Sequence, residues 1–411
     1  MGGGVASSCD DASDVASFAG RELQMLDIVH RMDGDQPFTD DPATSWTLPA
    51  RFYRDPAIFE AEREAIFFRS WNYVGHASQV SEPGSYVTAK IANQNVFVAR
   101  GRDGVLRAFF NVCPHRGHKL LEGTGKKNVI TCPYHAWAFD FDGQLKAARN
   151  SDVVESFDKE SFALKEIRVE TFCGLLLVNL DRDALPFAEQ AAGLEEEIRH
   201  YVPAVDDLSF AQRDDYDVAA NWKVLVDNFL ECYHCHTAHK DFVDLVDMPS
   251  YRSVTCGIWS SHCSGQAKSE QNRAYTFKKG DVDFGYAGWF VWPNFTIWAY
   301  PGEPNLSVLQ MNPTAPERCI EHQDWFVPDG KVTPQLREAM EYQKVVLQPE
   351  DVGLCESVQE GLASQGYNQG RFIVDPERTE LSEHAVHHFQ SMVADALSAR
   401  LGGHITPRNG T

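Results

Sequence analysis

The chain of 411 residues alternates between two hydrophobic periods. In its first half, short apolar or alternating runs separated by turn residues predict β-strands at residues 96–100, 105–112, 129–131, 138–141 and 175–180. The last run is continuously apolar, which is typical of a strand buried on both faces. This stretch is therefore predicted to be β-rich.

Apolar residues at helical spacing flank the β-rich stretch and predict helices at residues 55–70, 187–201 and 382–397. The first helix has an apolar face of Ile58, Phe59, Ile66 and Phe67, and the last has one of Val386, Phe389, Met392, Val393 and Leu397. Residues 286–300 are aromatic and are predicted to be β-rich. Residues 1–44, rich in Asp, Ser, Gly and Ala, are predicted to form a loose N-terminal arm.

Composition narrows the class of protein. An apolar content of 43% over this length suits two domains with large cores. The net charge of −22 argues against nucleic acid or an anionic membrane as a partner. No apolar run is long enough to span a membrane and the start does not resemble a signal peptide, so we expect a cytoplasmic protein. Ten cysteines are too few for a disulfide scaffold, which agrees with a reducing compartment.

Two motifs in the β-rich stretch carry metal-ligand chemistry. Cys113-Pro-His115 and Cys132-Pro-Tyr-His135 supply two thiolates and two imidazoles. In a Rieske 2Fe-2S cluster, two Cys hold one iron and two His hold the other. A Cys2His2 zinc site uses the same ligand types and is the alternative, although zinc fingers space their ligands differently.

A second candidate metal site follows Asn221, which can cap a helix. The apolar stripe of this helix is predicted to be Trp222, Leu225, Val226, Phe229 and Tyr233, and Asn228, Glu231 and His234 recur on a polar side. In a regular helix, His239 would lie about 140° from His234. Both can bind one metal only if the helix ends or takes a π-bulge near residues 235–237.

Two His and one distant carboxylate form the ligand set of non-haem Fe(II) oxygenases. Asp351 is the candidate for the third ligand, with Glu350 as its main competitor. The alternative is that His234 and His239 are ordinary core or surface histidines. Cys232 and Cys235 could form a redox dithiol or half a zinc site, but we expect them to be packing residues. The histidines without a partner pattern are expected at the surface or beside the metal ligands; they are His118, His236, His384, His387 and His388.

From about residue 48 to 397, these motifs resemble the large (alpha) subunit of Rieske non-haem iron oxygenases. The resemblance rests on Cys-x-His-Arg-Gly at 113–117, Cys-Pro-Tyr-His at 132–135, and Asn-Trp-Lys at 221–223 with the polar residues that follow. Glu231, EDVxLCESVQxGL at 350–362 and WPN at 292–294 are similar to the branch that acts on quaternary ammonium compounds, above all stachydrine (proline betaine) demethylase and glycine betaine monooxygenase. Ala136 departs from the Gly that is common after the second His, which predicts no need for a positive φ there.

The resemblance implies an α+β fold with a Rieske β-sandwich domain at 70–182. A helix-grip catalytic domain, an antiparallel sheet with helices, would be built from 45–69 and 183–411, and the chains would form a homotrimer. It also implies the ligand roles: Cys113, His115, Cys132 and His135 for the cluster, and His234, His239 and Asp351 for mononuclear Fe(II). Asn228 and Glu231 would be catalytic residues, with Glu231 carrying electrons from a neighbouring subunit's cluster.

No Gly-x-Gly-x-x-Gly motif follows a strand, so NAD(P)H and flavin are expected only in a separate partner reductase. With O2, the resemblance implies oxidation of an N-methyl group, which releases formaldehyde. Proline betaine is the favoured substrate and glycine betaine the next, with carnitine and choline ranked below them. Aromatic faces would bind such a cation, and the candidates are Trp289, Trp292, Trp298 and Tyr300. The alternatives are an aromatic-ring hydroxylating dioxygenase and, in another class, a Rieske electron-transfer protein.

Overall fold

Two large antiparallel sheets organise the chain in the computed structural model, which describes residues 34–265, 267–278, 282 and 285–401. The strands of the first half are β1 (Asn72–His76), β2 (Ser85–Ile91), β3 (Gln94–Arg100), β4 (Leu106–Phe110), β5 (Thr124–Lys126), β6 (Ile130–Thr131), β7 (Ala138–Phe139), β8 (Leu145–Ala147), β9 (Glu166–Phe172) and β10 (Leu175–Asn179). Seven of them form one sheet in the order β1-β10-β9-β4-β3-β2-β5, and β6-β7-β8 form a small separate sheet. All ten lie within the range 70–182 predicted for the Rieske domain.

The second large sheet has the order β11-β17-β16-β15-β14-β13-β12. Its strands are β11 (Leu208–Val218), β12 (Arg252–Cys256), β13 (Trp259–Cys263), β14 (Ala287–Val291), β15 (Phe295–Ala299), β16 (Leu306–Ala315) and β17 (Arg318–Pro328). Among the described residues, the α-helices are α1 (Pro56–Glu62), α2 (Phe187–Gln190), α3 (Leu194–Tyr201), α4 (Trp222–Phe229), α5 (Cys235–Ala238), α6 (Lys240–Leu245), α7 (Pro334–Tyr342), α8 (Gln348–Leu362) and α9 (His384–Leu401). The α+β prediction is confirmed.

The elements agree with the hydrophobic pattern, but several ends differ. The helix predicted for 55–70 is regular only in α1 and continues as a π-helical turn, Arg63–Phe67. The helix predicted for 187–201 is two helices, because Gly193 between them has a φ of 87°. The apolar run at 175–180 forms β10, which is buried throughout. No described helix combines the length and the apolar character that crossing a lipid bilayer requires.

The predicted N-terminal arm, residues 1–44, lies only partly within the described residues. Residues 1–33 lie outside the described residues, but residues 34–44 are packed and not loose. Phe38 is buried and stacks on His387 of α9 at 5.1 Å between ring centroids, and the Thr39 carbonyl lies 2.7 Å from His387 Nε2. Asp35 forms an ion pair with Arg51 at 2.7 Å.

A buried histidine lies where the two large sheets meet. His76, at the end of β1, stacks on Phe326 of β17 at 4.8 Å, and its Nδ1 accepts a hydrogen bond from the Ser78 amide. Burial lowers the pKa of His76 to about 4, against a smaller opposite influence from Asp324. His76 is therefore neutral in the folded protein at pH values where the unfolded chain, with a pKa near 6.5, is already protonated.

This difference predicts acid sensitivity. As pH falls from about 6.5 to about 4, the unfolded state takes up a proton that the folded state excludes, so His76 alone removes about 1.4 kcal/mol of unfolding free energy per pH unit. The contribution is fully present above pH 6.5 and lost once pH falls through the folded pKa. The test is urea unfolding of the metal-loaded protein and of His76→Asn, which keeps an acceptor near the position of Nδ1. Between about pH 4 and 6.5, the unfolding free energy of the variant should change less steeply with pH, by about 1.4 kcal/mol per pH unit, the equivalent of one proton. Equal slopes for the two proteins would contradict the prediction.

Candidate functional site

The two cysteine motifs form loops of matching backbone geometry, the first after β4 of the first sheet and the second between β6 and β7 of the small sheet. In each loop the amide four residues after the cysteine donates to the cysteine carbonyl: Gly117 to Cys113 at 2.9 Å, and Ala136 to Cys132 at 3.0 Å. Each cysteine amide in turn donates to the carbonyl five residues on, at 2.8 Å. The loops thus present one buried thiol each from equivalent positions.

The imidazoles of the two loops meet each other. The rings of His115 and His135 lie 4.7 Å apart, and His115 stacks on Trp137 at 4.6 Å. The His135 Nδ1 is buried without a hydrogen-bond partner among the described residues. Burial raises the pKa of Cys113, and the neighbouring Cys132 thiol adds to the effect. Two close thiols and an orphaned imidazole nitrogen fit a metal cluster, which deprotonates thiols and takes lone pairs from imidazoles.

Ala136 corrects one expectation from the sequence. Its φ is 58°, in the left-handed region, although no positive φ was expected there. The reason is the loop geometry: Ala136 occupies the position of Gly117 in the first loop, whose φ is 71°. An Ala in this conformation carries a steric cost that Gly does not.

Ala136→Gly should therefore stabilise the cluster-loaded protein by about 0.5–1 kcal/mol, the left-handed penalty less the entropy that Gly adds to the unfolded chain. The measurement is the temperature at which the visible absorption of the cluster is lost. Gly117→Ala, the reciprocal change in the other loop, should lower that temperature. If Ala136→Gly does not raise that temperature and Gly117→Ala does not lower it, backbone strain is unimportant in these loops.

The second group of predicted ligands follows α4. The Asn221 side chain accepts from the Lys223 amide, as expected for a helix cap. The helix then ends at Phe229, earlier than the predicted break near 235–237, and Tyr233 is 49% exposed instead of joining the apolar stripe. Local capping explains the difference: Glu231 Oε2 accepts from the His234 amide at 3.2 Å, just before α5 begins.

This loop brings His234 and His239 together with Asp351 of α8. The two Nε2 atoms lie 3.1 Å apart, and Asp351 Oδ1 lies 2.8 Å from Nε2 of His239 and 3.6 Å from Nε2 of His234. These three side chains form a group that could hold a metal ion, with one donor atom each within 4.8 Å of the others. Glu350 lies outside this group, 2.8 Å from His239 Nδ1.

The outer nitrogens of both imidazoles are held by carboxylates. His234 Nδ1 lies 2.5 Å from Glu231 Oε1, the counterpart of the contact between His239 Nδ1 and Glu350. When each Nδ1 carries the ring proton and donates it to its carboxylate, each Nε2 keeps a lone pair. These two lone pairs and the Asp351 carboxylate then face the same space as three acceptors. Burial lowers the pKa of His234, but hydrogen bonds to Asp351 and Glu231 outweigh it and raise the value to about 10. The site therefore requires positive charge, which a divalent metal supplies.

Several neighbouring residues differ from expectation. Cys232 and Cys235 are buried, as expected of packing residues, but they are joined in a disulfide. His384 and His387 are buried and hydrogen-bonded to the carbonyls of Ser253 and Thr39, so neither is a surface residue. His118 and His236 lie at the surface.

An inner cavity of about 70 Å³ opens beside the triad. Trp298 and Tyr300, two of the four candidate aromatic residues, line it, together with Phe229, Phe242, Tyr251 and Tyr286. Trp289 and Trp292 do not line it: Trp289 is buried in the core on the α2–α3 side, and Trp292 donates from Nε1 to Ser70 Oγ. Strand alternation explains the position of Trp289, because successive residues of β14 and β15 face opposite sides of the sheet. Trp292 lies beyond the end of β14.

An outer cavity of about 300 Å³ lies on the other side of the loop. Asn228, Glu231, His234 and Cys355 line both cavities. These shared residues form the wall between the inner cavity and the outer one.

Comparison with known proteins gives two family matches. Residues 70–158 match the Rieske [2Fe-2S] domain, and residues 205–399 match the ring hydroxylating alpha subunit (catalytic domain).

Whole-length relatives agree with these matches. A carnitine monooxygenase oxygenase subunit from Acinetobacter baumannii is 41% identical over 371 residues, which cover 90% of this chain and 99% of the relative. The chloroplastic choline monooxygenase of Amaranthus tricolor is 30% identical, with coverage of 90% and 81%. A solved quaternary ammonium Rieske monooxygenase, studied for carnitine oxidation and inter-subunit electron transfer, is 39% identical with a TM-score of 0.81, covering 87% of this chain and 97% of its own.

Proposed function

Since this chain belongs to the Rieske non-haem iron oxygenase family, as an alpha subunit, we propose that it hydroxylates a small quaternary ammonium compound at a carbon bonded to nitrogen. Its cofactors are a Rieske 2Fe-2S cluster and a mononuclear iron. When bound, these groups supply electron transfer and the activation of O2. The observation that carries the substrate proposal is the aromatic inner cavity that ends at the triad.

We assign the mononuclear iron to His234, His239 and Asp351. Two observations support this assignment. The acceptor atoms of the three side chains converge, and the carboxylates of Glu231 and Glu350 contact the outer nitrogens of the two imidazoles. Glu350 is assigned to orient His239, because it contacts the outer nitrogen of that ring. Asp351 is therefore preferred to Glu350 as the third ligand.

The chemistry of the inner cavity favours a cation. Six Phe, Tyr or Trp side chains line it, and no Lys or Arg is found in its lining among the residues that the structure describes. A quaternary ammonium cannot donate a hydrogen bond, so aromatic faces and carboxylates are the groups able to bind it. Without Lys or Arg, this lining favours the cationic end of a substrate over an anionic one.

The relatives change the order of substrates to be tested. The carnitine and choline monooxygenases reported above share 41% and 30% of their residues with this chain, so we put carnitine first and choline second. Proline betaine, which the sequence motifs favoured, and glycine betaine remain in the panel.

The proposed reaction consumes one O2, two electrons and two protons. One oxygen atom enters a C–H bond next to nitrogen, and the other leaves as water. The C–N bond of the resulting carbinol then breaks, with its electron pair going to the amine and the hydroxyl proton being lost. Hydroxylation of an N-methyl group gives formaldehyde and a tertiary amine, whereas hydroxylation of a chain methylene gives a longer aldehyde and trimethylamine.

We further propose that electrons reach the iron from the cluster of a neighbouring subunit in a trimer. His115 is exposed and the cluster loops pack in a separate hydrophobic core from the residues around His234. Glu231 contacts His234 and lines the outer cavity, so it lies between that cavity and the triad. This arrangement suits a partner's cluster docked over the outer cavity, with an NAD(P)H-dependent reductase supplying the electrons.

The test is a reductase-coupled assay of the metal-loaded protein with NADH, O2 and each panel compound. In coupled turnover we expect the sum of formaldehyde and trimethylamine to equal the NADH consumed. The ratio of formaldehyde to trimethylamine identifies the carbon attacked. Benzoate and naphthalene serve as aromatic controls. A diol from an aromatic control, with no amine product from any panel compound, would overturn the proposal in favour of ring hydroxylation.

A further inference from the structure

One carboxyl group in the inner cavity has no role in holding the metal ligands. Glu321, on β17, is 2% exposed and lines the cavity. The other carboxyl groups of the lining, Glu231 and Asp351, are each bonded to a histidine of the triad. Glu321 instead is bonded to Gln348, at the start of α8.

A directed chain of hydrogen bonds ends at this carboxyl group. The Tyr300 hydroxyl donates to Gln343 Oε1 at 2.5 Å, Gln343 Nε2 donates to Gln348 Oε1 at 3.2 Å, and Gln348 Nε2 donates to Glu321 Oε2 at 2.6 Å. All four residues are buried. Every donor in the chain is oriented toward Glu321, and such a chain stabilises negative charge at its final acceptor.

The second carboxylate oxygen, Oε1, has no hydrogen bond to any residue in the described part of the chain, although the residue lines a cavity. Burial raises the pKa of Glu321 to about 8, with Asp351 adding to the effect. A buried carboxylate with one free oxygen is costly unless a positive group lies beside it. No Lys or Arg is found in the described lining, and the side-chain partner of Glu321 is the neutral Gln348, so a cationic ligand in the cavity would supply the positive group.

We propose that Glu321 is the specificity residue that binds the cationic nitrogen of the substrate, together with the ring faces of Trp298 and Tyr300. This inference rests on the proposed function and deepens it, because it assigns recognition of the positive charge to one side chain. Glu321 holds the nitrogen by charge, and the rings exclude water around its methyl groups. The hydrogen-bond chain from Tyr300 fixes the carboxyl group relative to one of those rings.

The test compares a cation with its carbon isostere. Choline and 3,3-dimethylbutan-1-ol have the same shape and differ in the charged nitrogen, and binding to the metal-loaded protein is measured by calorimetry. Wild type should bind choline at least about tenfold more tightly, and Glu321→Gln should reduce that preference to about threefold or less. With carnitine as substrate, Glu321→Gln should raise KM by about tenfold or more and leave kcat and both metal contents unchanged.

Two variants serve as controls. Glu321→Asp keeps the charge and should keep most of the preference for choline. Asp214→Asn removes a mostly buried carboxyl group from the adjacent strand β11, where it pairs with Lys344 outside the inner cavity, and should behave like wild type. If Glu321→Gln does not fold, the inference is tested by Glu321→Asp, and loss of the preference in that folded variant counts against it.

The outcomes separate the two proposals. A preference for choline that survives in Glu321→Gln overturns the inference, and so does a loss of iron or a fall in kcat at unchanged KM. Absence of amine product from every quaternary ammonium compound with wild type would instead overturn the proposed function.

Discussion

His234→Ala is expected to lose the mononuclear iron and all substrate-dependent turnover while keeping the 2Fe-2S cluster. The variant removes one of three converging donors, and the remaining His239 and Asp351 form an incomplete site. The cluster loops lie in a different hydrophobic core, so their geometry should not change. The measurements are iron per chain, the paramagnetic signal of the reduced cluster and reductase-coupled product formation.

Cys132→Ala is the reciprocal control. It deletes a buried thiol of the cluster loops, so it should lose the visible colour and turnover but retain mononuclear iron. Loss of both metals from His234→Ala, with the fold intact, would argue against two independent sites. Retention of mononuclear iron by His234→Ala would remove His234 from the ligand set.

The second prediction concerns Glu231, whose carboxylate contacts both the ring and the amide of His234. Glu231→Gln keeps an acceptor for one of these contacts but loses the charge, so iron binding should weaken no more than about 10- to 100-fold and remain saturable. We expect cluster reoxidation, measured in a single turnover with substrate and O2, to become the slow step. Reoxidation at the wild-type rate in the iron-saturated variant would contradict a role in electron transfer.

Mixed oligomers test whether that route crosses between chains. A chain with His115→Ala has no complete cluster, and a chain with His234→Ala has no complete iron site. If electrons cross between subunits, oligomers that contain both should recover part of the activity. Oligomers that combine His115→Ala with Cys132→Ala should not recover, because both lesions affect the cluster. No recovery in verified mixtures of the first kind would restrict transfer to one chain.

The parts of the site that sequence predicts well are those whose chemistry depends on residue type. Cys and His in paired motifs have few alternative uses, so the cluster loops could be located before the fold was known. The proximity of His234, His239 and Asp351 was also expected, because this ligand set required the helix to break between the two histidines. Their roles as iron ligands remain predictions for the experiments above.

The parts that sequence predicts poorly depend on three-dimensional direction. Trp289 and Trp298 both belong to the aromatic segment 286–300, and its composition does not distinguish them. Strand alternation puts the first in the core and the second at the cavity. Glu321 gave no local signal at all, because its importance comes from a hydrogen-bond chain that joins β17 to α8. The left-handed Ala136 was missed since only the pairing of the two loops shows that its position requires a positive φ.

The wall shared by the two cavities limits how this protein can be adapted to new substrates. A change at Asn228, Glu231 or His234 alters the inner cavity and the outer one together. The strand side of the inner cavity, with Trp298, Leu309, Met311 and Glu321, does not contribute to the outer cavity. Directed evolution of substrate range should therefore succeed through strand positions, whereas equivalent libraries at 228–234 should yield mainly uncoupled or inactive enzymes.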